Sequence, residues 1–193
     1  MLQAFLTAAI TIFIAELGDK TQLFALTLSA KTHRPFSVLA GVALGALILI
    51  APAAWLGYEA ARFIDPQIAR YVSAGLMFAF AAWMVLRGAD DDDDDSIATR
   101  MKATSALAVF TAAAMGFALA ELGDKSQLAV VLLGSRAEAV WPVIAGAWLG
   151  EVAAIAPAAV LGKAIAQRVS ARHVGYVAAA IFVGLGVWTL MAG

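Results

Sequence analysis

Ala15-Glu16-Leu17-Gly18-Asp19-Lys20-Thr21-Gln22-Leu23 is spelled a second time as Ala120-Glu121-Leu122-Gly123-Asp124-Lys125-Ser126-Gln127-Leu128. Eight of the nine positions are identical, and the ninth exchanges one hydroxyl for another. Each copy sets two carboxylates and a lysine inside a long apolar run. A charged side chain in hydrocarbon costs roughly 2.5–3.5 kcal/mol on insertion scales, so acids in such a place mark a functional site. Bearing that cost twice, in the same spelling, argues against accident.

Outside the motif the chain is overwhelmingly apolar. It is 63% hydrophobic and 14% charged, with a mean hydropathy of +0.86, where a soluble domain carries about 45–50% apolar and ~25% charged residues. The composition predicts an all-α integral membrane protein. A net charge of −1 with no basic patch gives no handle for nucleic acid. The lack of cysteine excludes disulfides and thiolate metal sites. Residues 1–14 lack the basic start of a signal peptide, and the apolar run continues past any cleavage point, so the first segment is expected to stay in the mature protein.

Six apolar segments stand out, at 3–29, 38–58, 68–86, 104–134, 143–162 and 174–192. Each is near the ~17–25 residues that span a bilayer as a helix. The one long polar stretch, 87–103, holds six consecutive aspartates, Asp90 to Asp95. Such a run of like charge reads as a solvated linker rather than a cation collector.

Adding 105 to a residue number lands on its counterpart without a gap. Between 38–57 and 143–162, twelve of twenty positions are identical, including Gly41/Gly146, Gly45/Gly150 and Pro52/Pro157. Tyr71 pairs with Tyr176 and Trp83 with Trp188. The chain therefore reads as a three-helix repeat at 1–86, an acidic linker at 87–103 and a second three-helix repeat at 104–193. Homologous halves of three spans each must enter the membrane from opposite sides, which makes the repeat inverted. Charge counting gives the orientation. Lys31, Arg34, Arg87, Arg100, Lys102, Lys163, Arg168 and Arg172 fall on one side, against Arg62, Arg70 and Arg136 on the other. The richer side is expected in the cytoplasm, with the linker, and both termini outside. Trp83 and Trp188 then fall near opposite faces as interfacial anchors.

On a continuous helix Glu16, Asp19 and Gln22 form a stripe at three-residue spacing, and Glu121, Asp124 and Gln127 repeat it. Inverted repeats bring equivalent depths together, so the two motifs should meet near the midplane. The expected metal ligands are Glu16, Asp19, Thr21, Gln22, Glu121, Asp124, Ser126 and Gln127. Such an all-oxygen set suits a hard divalent cation such as calcium, manganese or magnesium, and is a poor match for zinc or copper. His33 and His173 are loop residues in this reading.

Other polar positions have two readings each. Gly18 and Gly123 serve either close helix packing or a helix break that offers carbonyls to an ion. The spacings Gly41/Gly45 and Gly146/Gly150 read as packing faces, and Pro52 and Pro157 as kinks that free the carbonyls of Ile48 and Ala153. Lys20 and Lys125 either balance the acids or turn away from them. Glu151, whose counterpart is Ala46, is either an auxiliary ligand or proton carrier, or a surface acid near a helix end. Crowded, desolvated carboxylates cannot all ionise. Competition between protons and a divalent cation for one set of acids is then the simplest basis for exchange.

Two Glu-x-Gly-Asp-Lys-Thr/Ser motifs in such a chain resemble the GDT-type cation/proton antiporters, and the resemblance covers essentially the whole sequence. It implies manganese and/or calcium moved out of the cytoplasm against protons, with Glu16, Asp19, Glu121 and Asp124 as ligands. The chain is further expected to have no enzyme activity and no prosthetic group and to sit in a bacterial inner membrane, with lipid, metal ions and protons as partners and a homo-oligomer as an option. A divalent-cation channel would use similar acids, and an intramembrane enzyme would use paired carboxylates as acid and base. An inverted repeat with kinked helices fits alternating access better than a channel. An enzyme would need room for substrate and water, and an acid and a base that symmetry-equivalent motifs do not distinguish.

Overall fold

In the computed structural model the described residues are 1–63 and 105–161, with further helical positions at 67–68, 71–72, 74–75, 78–79, 81–82, 179–180, 183–184, 186–187 and 190–191. They are all-helical, with no strand among them. The first half opens with α1 (Leu2–Glu16), α2 (Lys20–Thr32) and α3 (Pro35–Phe63). The second opens with α4 (Ala106–Glu121), α5 (Lys125–Gly134) and α6 (Val140–Leu161). Among the described residues α3 and α6 are long and apolar enough to cross a membrane, and the pairs α1–α2 and α4–α5 raise the number to four if each is one bent span. The aspartate run, Trp83, Trp188 and His173 lie outside the described residues.

One expectation is corrected. The segments 3–29 and 104–134 are not continuous helices: each is broken within the motif, with bends of 72° and 80°. The reason is local. Leu17 and Leu122 have φ/ψ of −63°/123° and −61°/115°, while Gly18 and Gly123 have φ of 77° and 81°. The Asp19 N–H donates to the Glu16 carbonyl (3.3 Å) and the Asp124 N–H to that of Glu121 (3.0 Å). Those features match a type II turn, whose third position needs the positive φ that glycine adopts freely. Of the two roles open to these glycines, the break is the one realised.

The packing comes in interchanged pairs. Gly41 of α3 lies so close to α4 that a Cβ there would collide with the Phe110 carbonyl oxygen; Gly146 of α6 stands likewise against the Phe5 carbonyl of α1. Phe5 and Phe110 are themselves counterparts. Gly45 would bring a Cβ within 2.7 Å of the Ala114 oxygen, and Gly150 meets the counterpart Ala9. Each half thus lays its first helix along the long helix of the other half. Between the long helices, the Trp148 indole N–H donates to the Ala43 carbonyl at 2.7 Å, again a pair of counterparts.

Burial follows the same pattern. Ala8 and Ala113, Ile12 and Phe117, and Val38 and Val143 are buried counterparts in one core. Large apolar side chains such as Ile10, Leu47, Ile48, Met115 and Leu119 face outward. In water so much exposed apolar surface would be a liability. In a bilayer it is the ordinary outer face of a helix bundle, and the unusual side chains are the acids within.

Candidate metal centre

The break sets where each motif residue goes. Glu16 and Glu121 close α1 and α4, and both side chains are buried, at 0% and 2% exposure. Asp19 precedes α2, and Asp124 is the N-cap of α5 with an extended backbone and no capping hydrogen bond from its side chain. The aspartates therefore do not continue a helical stripe from the glutamates, as the three-residue spacing predicted. They reach the same place by another route, across the turn.

That place is shared. One carboxylate oxygen each from Glu16, Glu121 and Glu151 lies within 4.8 Å of the others, and all three residues are buried. A second trio, Glu16, Asp19 and Asp124, meets the same limit, with both aspartates half-buried. Five acids thus converge from the ends of α1 and α4, the starts of α2 and α5, and the middle of α6. Glu16 belongs to both trios.

Thr21 and Ser126, in the first turns of α2 and α5, are buried at 0% and 5% exposure. Ser126 Oγ donates to Glu121 Oε2 at 3.4 Å. Thr21 Oγ1 has no hydrogen-bond partner among the described residues.

Gln22 and Gln127 clamp the breaks. Gln22 Oε1 accepts from the Gly18 N–H at 3.2 Å while its Nε2 donates to the Glu16 carbonyl at 3.1 Å. Gln127 does the same with Gly123 (3.2 Å) and Glu121 (2.8 Å). Each carboxamide thereby replaces helix hydrogen bonds that the turn gives up, a requirement wherever water is scarce. Gln22 makes one further bond, Nε2 to the Ala154 carbonyl of α6 at 3.0 Å. This clamp was not foreseen from the motif, although a glutamine four residues after a glycine was the available signal.

The geometry brings the auxiliary residue Glu151 into the cluster. It is 3% exposed, inside α6, so the alternative of a surface acid near a helix end is set aside. Lys20 and Lys125 open α2 and α5. His33 is exposed in the turn between α2 and α3, with φ 54°.

Carboxylate and hydroxyl oxygens of this kind form a donor set for a hard divalent cation. Ca–O distances of 2.3–2.6 Å place opposite ligands about 4.6–5.2 Å apart, so oxygens within 4.8 Å can surround one ion. The helix termini add no clear bias: the ends of α1 and α4 bring partial negative charge, and the starts of α2 and α5 bring partial positive charge.

Residues 4–92 and 109–193 match the family described as divalent cation/proton antiporter GDT1. The chain belongs to that family. Among its relatives is a protein of Vibrio cholerae named as a candidate manganese exporter, 33% identical over 180 residues, covering 93% of this chain and 86% of the relative. A GDT1-like protein of Synechocystis is 29% identical over 209 residues and covers both chains fully (100%). The divalent cation/proton antiporter GDT1 of Saccharomyces cerevisiae is 23% identical over 228 residues, covering 94% of this chain and 81% of its own. No solved structure matches the chain. Membership of the GDT1 family places the protein among transporters rather than enzymes.

Proposed function

We propose that this protein exports a divalent cation, manganese and/or calcium, from the cytoplasm in exchange for protons. The observation that carries the reading is the convergence of Glu16 and Glu121, one from each half, with a third glutamate, in the apolar interior. Burying carboxylates costs desolvation, and a bound cation or protons on the same oxygens offset that cost. Protons and a divalent cation compete for the same oxygens, and loading one releases the other.

Broken helices are the usual way in which transporters expose backbone and helix ends at mid-membrane. We place the acid cluster there, with six spans in two inverted repeats, 1–86 and 104–193. The linker 87–103 is cytoplasmic, both termini are outside, and the membrane is the inner membrane of a bacterium. The ligand set is Glu16, Asp19, Glu121 and Asp124, with Thr21 and Ser126 beside them. Gln22 and Gln127 hold the turns, and each Oε1 keeps a lone pair that could serve the ion. Lys20 and Lys125 balance charge.

The test is purified protein in proteoliposomes with a pH dye inside. Added Mn2+ or Ca2+ should drive protons in the direction opposite to the metal. Metal flux without obligatory proton movement would favour a channel, and neither flux would end the transport reading.

A further inference from the structure

We propose that Glu151 is a direct ligand of the transported cation and makes the site lopsided: α6 supplies a fifth carboxylate for which α3 has no equivalent. This rests on the divalent-cation reading above, and adds a residue outside the motifs to it.

The argument begins with place. Glu151 is 3% exposed, and one of its oxygens lies within 4.8 Å of oxygens of both Glu16 and Glu121. Its Oε1 has no hydrogen-bond partner among the described residues, and no ion pair there involves it. A structural acid at such depth needs a partner to offset desolvation. Glu151 instead meets two more acids, an arrangement that makes physical sense when a cation lies between them.

The repeat sharpens the point. Ala46, the counterpart in α3, is buried at 1% exposure. A methyl group therefore suffices to fill the equivalent space in the first half, so packing alone does not call for a glutamate in the second. The backbone around Glu151 is also firmly held. Gly150 lies against the Ala9 carbonyl of α1, and Gln22 grips the Ala154 carbonyl three residues on. Glu151 is thus fixed to the first break, beside Glu16, by contacts from both α1 and α2. A ligand so placed favours an ion whose coordination tolerates three carboxylates on one flank, and it should influence the choice between manganese and calcium.

The experiment titrates Mn2+ and Ca2+ into purified protein by calorimetry, with thermal melting in parallel. The variants are Glu151→Gln, Glu151→Asp, Glu16→Gln and Glu59→Gln, the last an acid paired with Arg62 at 3.3 Å. We expect Glu151→Gln to weaken Mn2+ binding at least tenfold, to change the Mn2+/Ca2+ affinity ratio, and to shrink the metal-induced rise in melting temperature. Its metal-free melting should match the parent's, and Glu59→Gln should stay within twofold. A Glu151→Gln protein with parental affinities for both ions overturns the proposal; if Glu16→Gln then still loses binding, the transport reading survives. A parent that binds neither ion overturns both. Should Glu151→Gln fail to fold, Glu151→Asp decides. An affinity changed threefold or more supports direct contact, and an unchanged one refutes it.

Discussion

The two breaks share a backbone but not a neighbourhood. Both use a leucine–glycine pair in a type II turn, a glutamine clamp and a hydroxyl in the next helical turn. Beyond that they part. Gln22 reaches α6 through the Ala154 carbonyl, and α6 carries Glu151, where α3 has Ala46. Ser126 donates to the glutamate of its own motif, whereas Thr21 Oγ1 has no partner among the described residues. A duplicated chain can thus keep a strict backbone device while changing what presses against it. The larger difference lies in the long helices that the breaks face, the smaller in the hydroxyl within each break.

The sharpest challenge to that comparison is to neutralise the glutamates singly. Glu16→Gln and Glu121→Gln keep volume and one oxygen ligand but remove a charge and a proton site. Each should abolish most metal-driven proton movement in proteoliposomes, at least a tenfold loss, and shift what remains along the pH axis. Glu16, common to both acid trios, should be the more severe. Equal residual rates would show that Glu121 shares both trios in the working protein. Thr21→Ala, which removes only a neutral hydroxyl, should be several-fold milder.

Next come the turns. Gly123→Ala meets open space, so its penalty is that of a left-handed backbone, about 1–2 kcal/mol. Gly18→Ala should lose a similar amount. Thermal melting would read both as a few degrees, with transport falling further because the acids move with the turn. Parental melting and transport for Gly123→Ala would contradict the type II geometry.

A smaller effect separates the clamps. Gln22→Leu forfeits the α6 contact as well as the clamp, while Gln127→Leu forfeits the clamp. The excess for Gln22 should be about 0.5–1.5 kcal/mol, the net value of one hydrogen bond, measured as a difference in unfolding free energy. Smallest of all is deletion of Asp90 to Asp95, which should leave transport within twofold. A collapse of transport would move the acidic run from linker to machinery.

How much of this was legible beforehand depends on which residues are asked. The shared motif, the 105-residue offset and the small-residue faces were open to reading because each is a pattern repeated in the chain. Gly41 and Gly146 show it well: small residues four apart are conspicuous, and both turned out to lie against carbonyls. The breaks were harder. Gly18 flanked by apolar residues is equally consistent with a close-packed continuous helix, and only its φ of 77° separates the two. Glu and Asp at three-residue spacing even suggested the wrong geometry, a helical stripe, although the turn brings the same acids together. Glu151 was ambiguous for a different reason. Its lack of a repeat partner left no pattern to read, and depth within a bundle is a property of packing rather than of neighbours in sequence.

The hydrogen bond from Trp148 to the Ala43 carbonyl has a mechanical meaning under the inverted-repeat reading. Residues that are counterparts and also touch must straddle whichever axis exchanges the halves. Points on such an axis are displaced least when the two halves rock against each other. The indole is therefore placed at the pivot of any alternating motion, and by the same rule so are the breaks, whose counterparts Glu16 and Glu121 also meet: the halves would rock about the acids instead of carrying them.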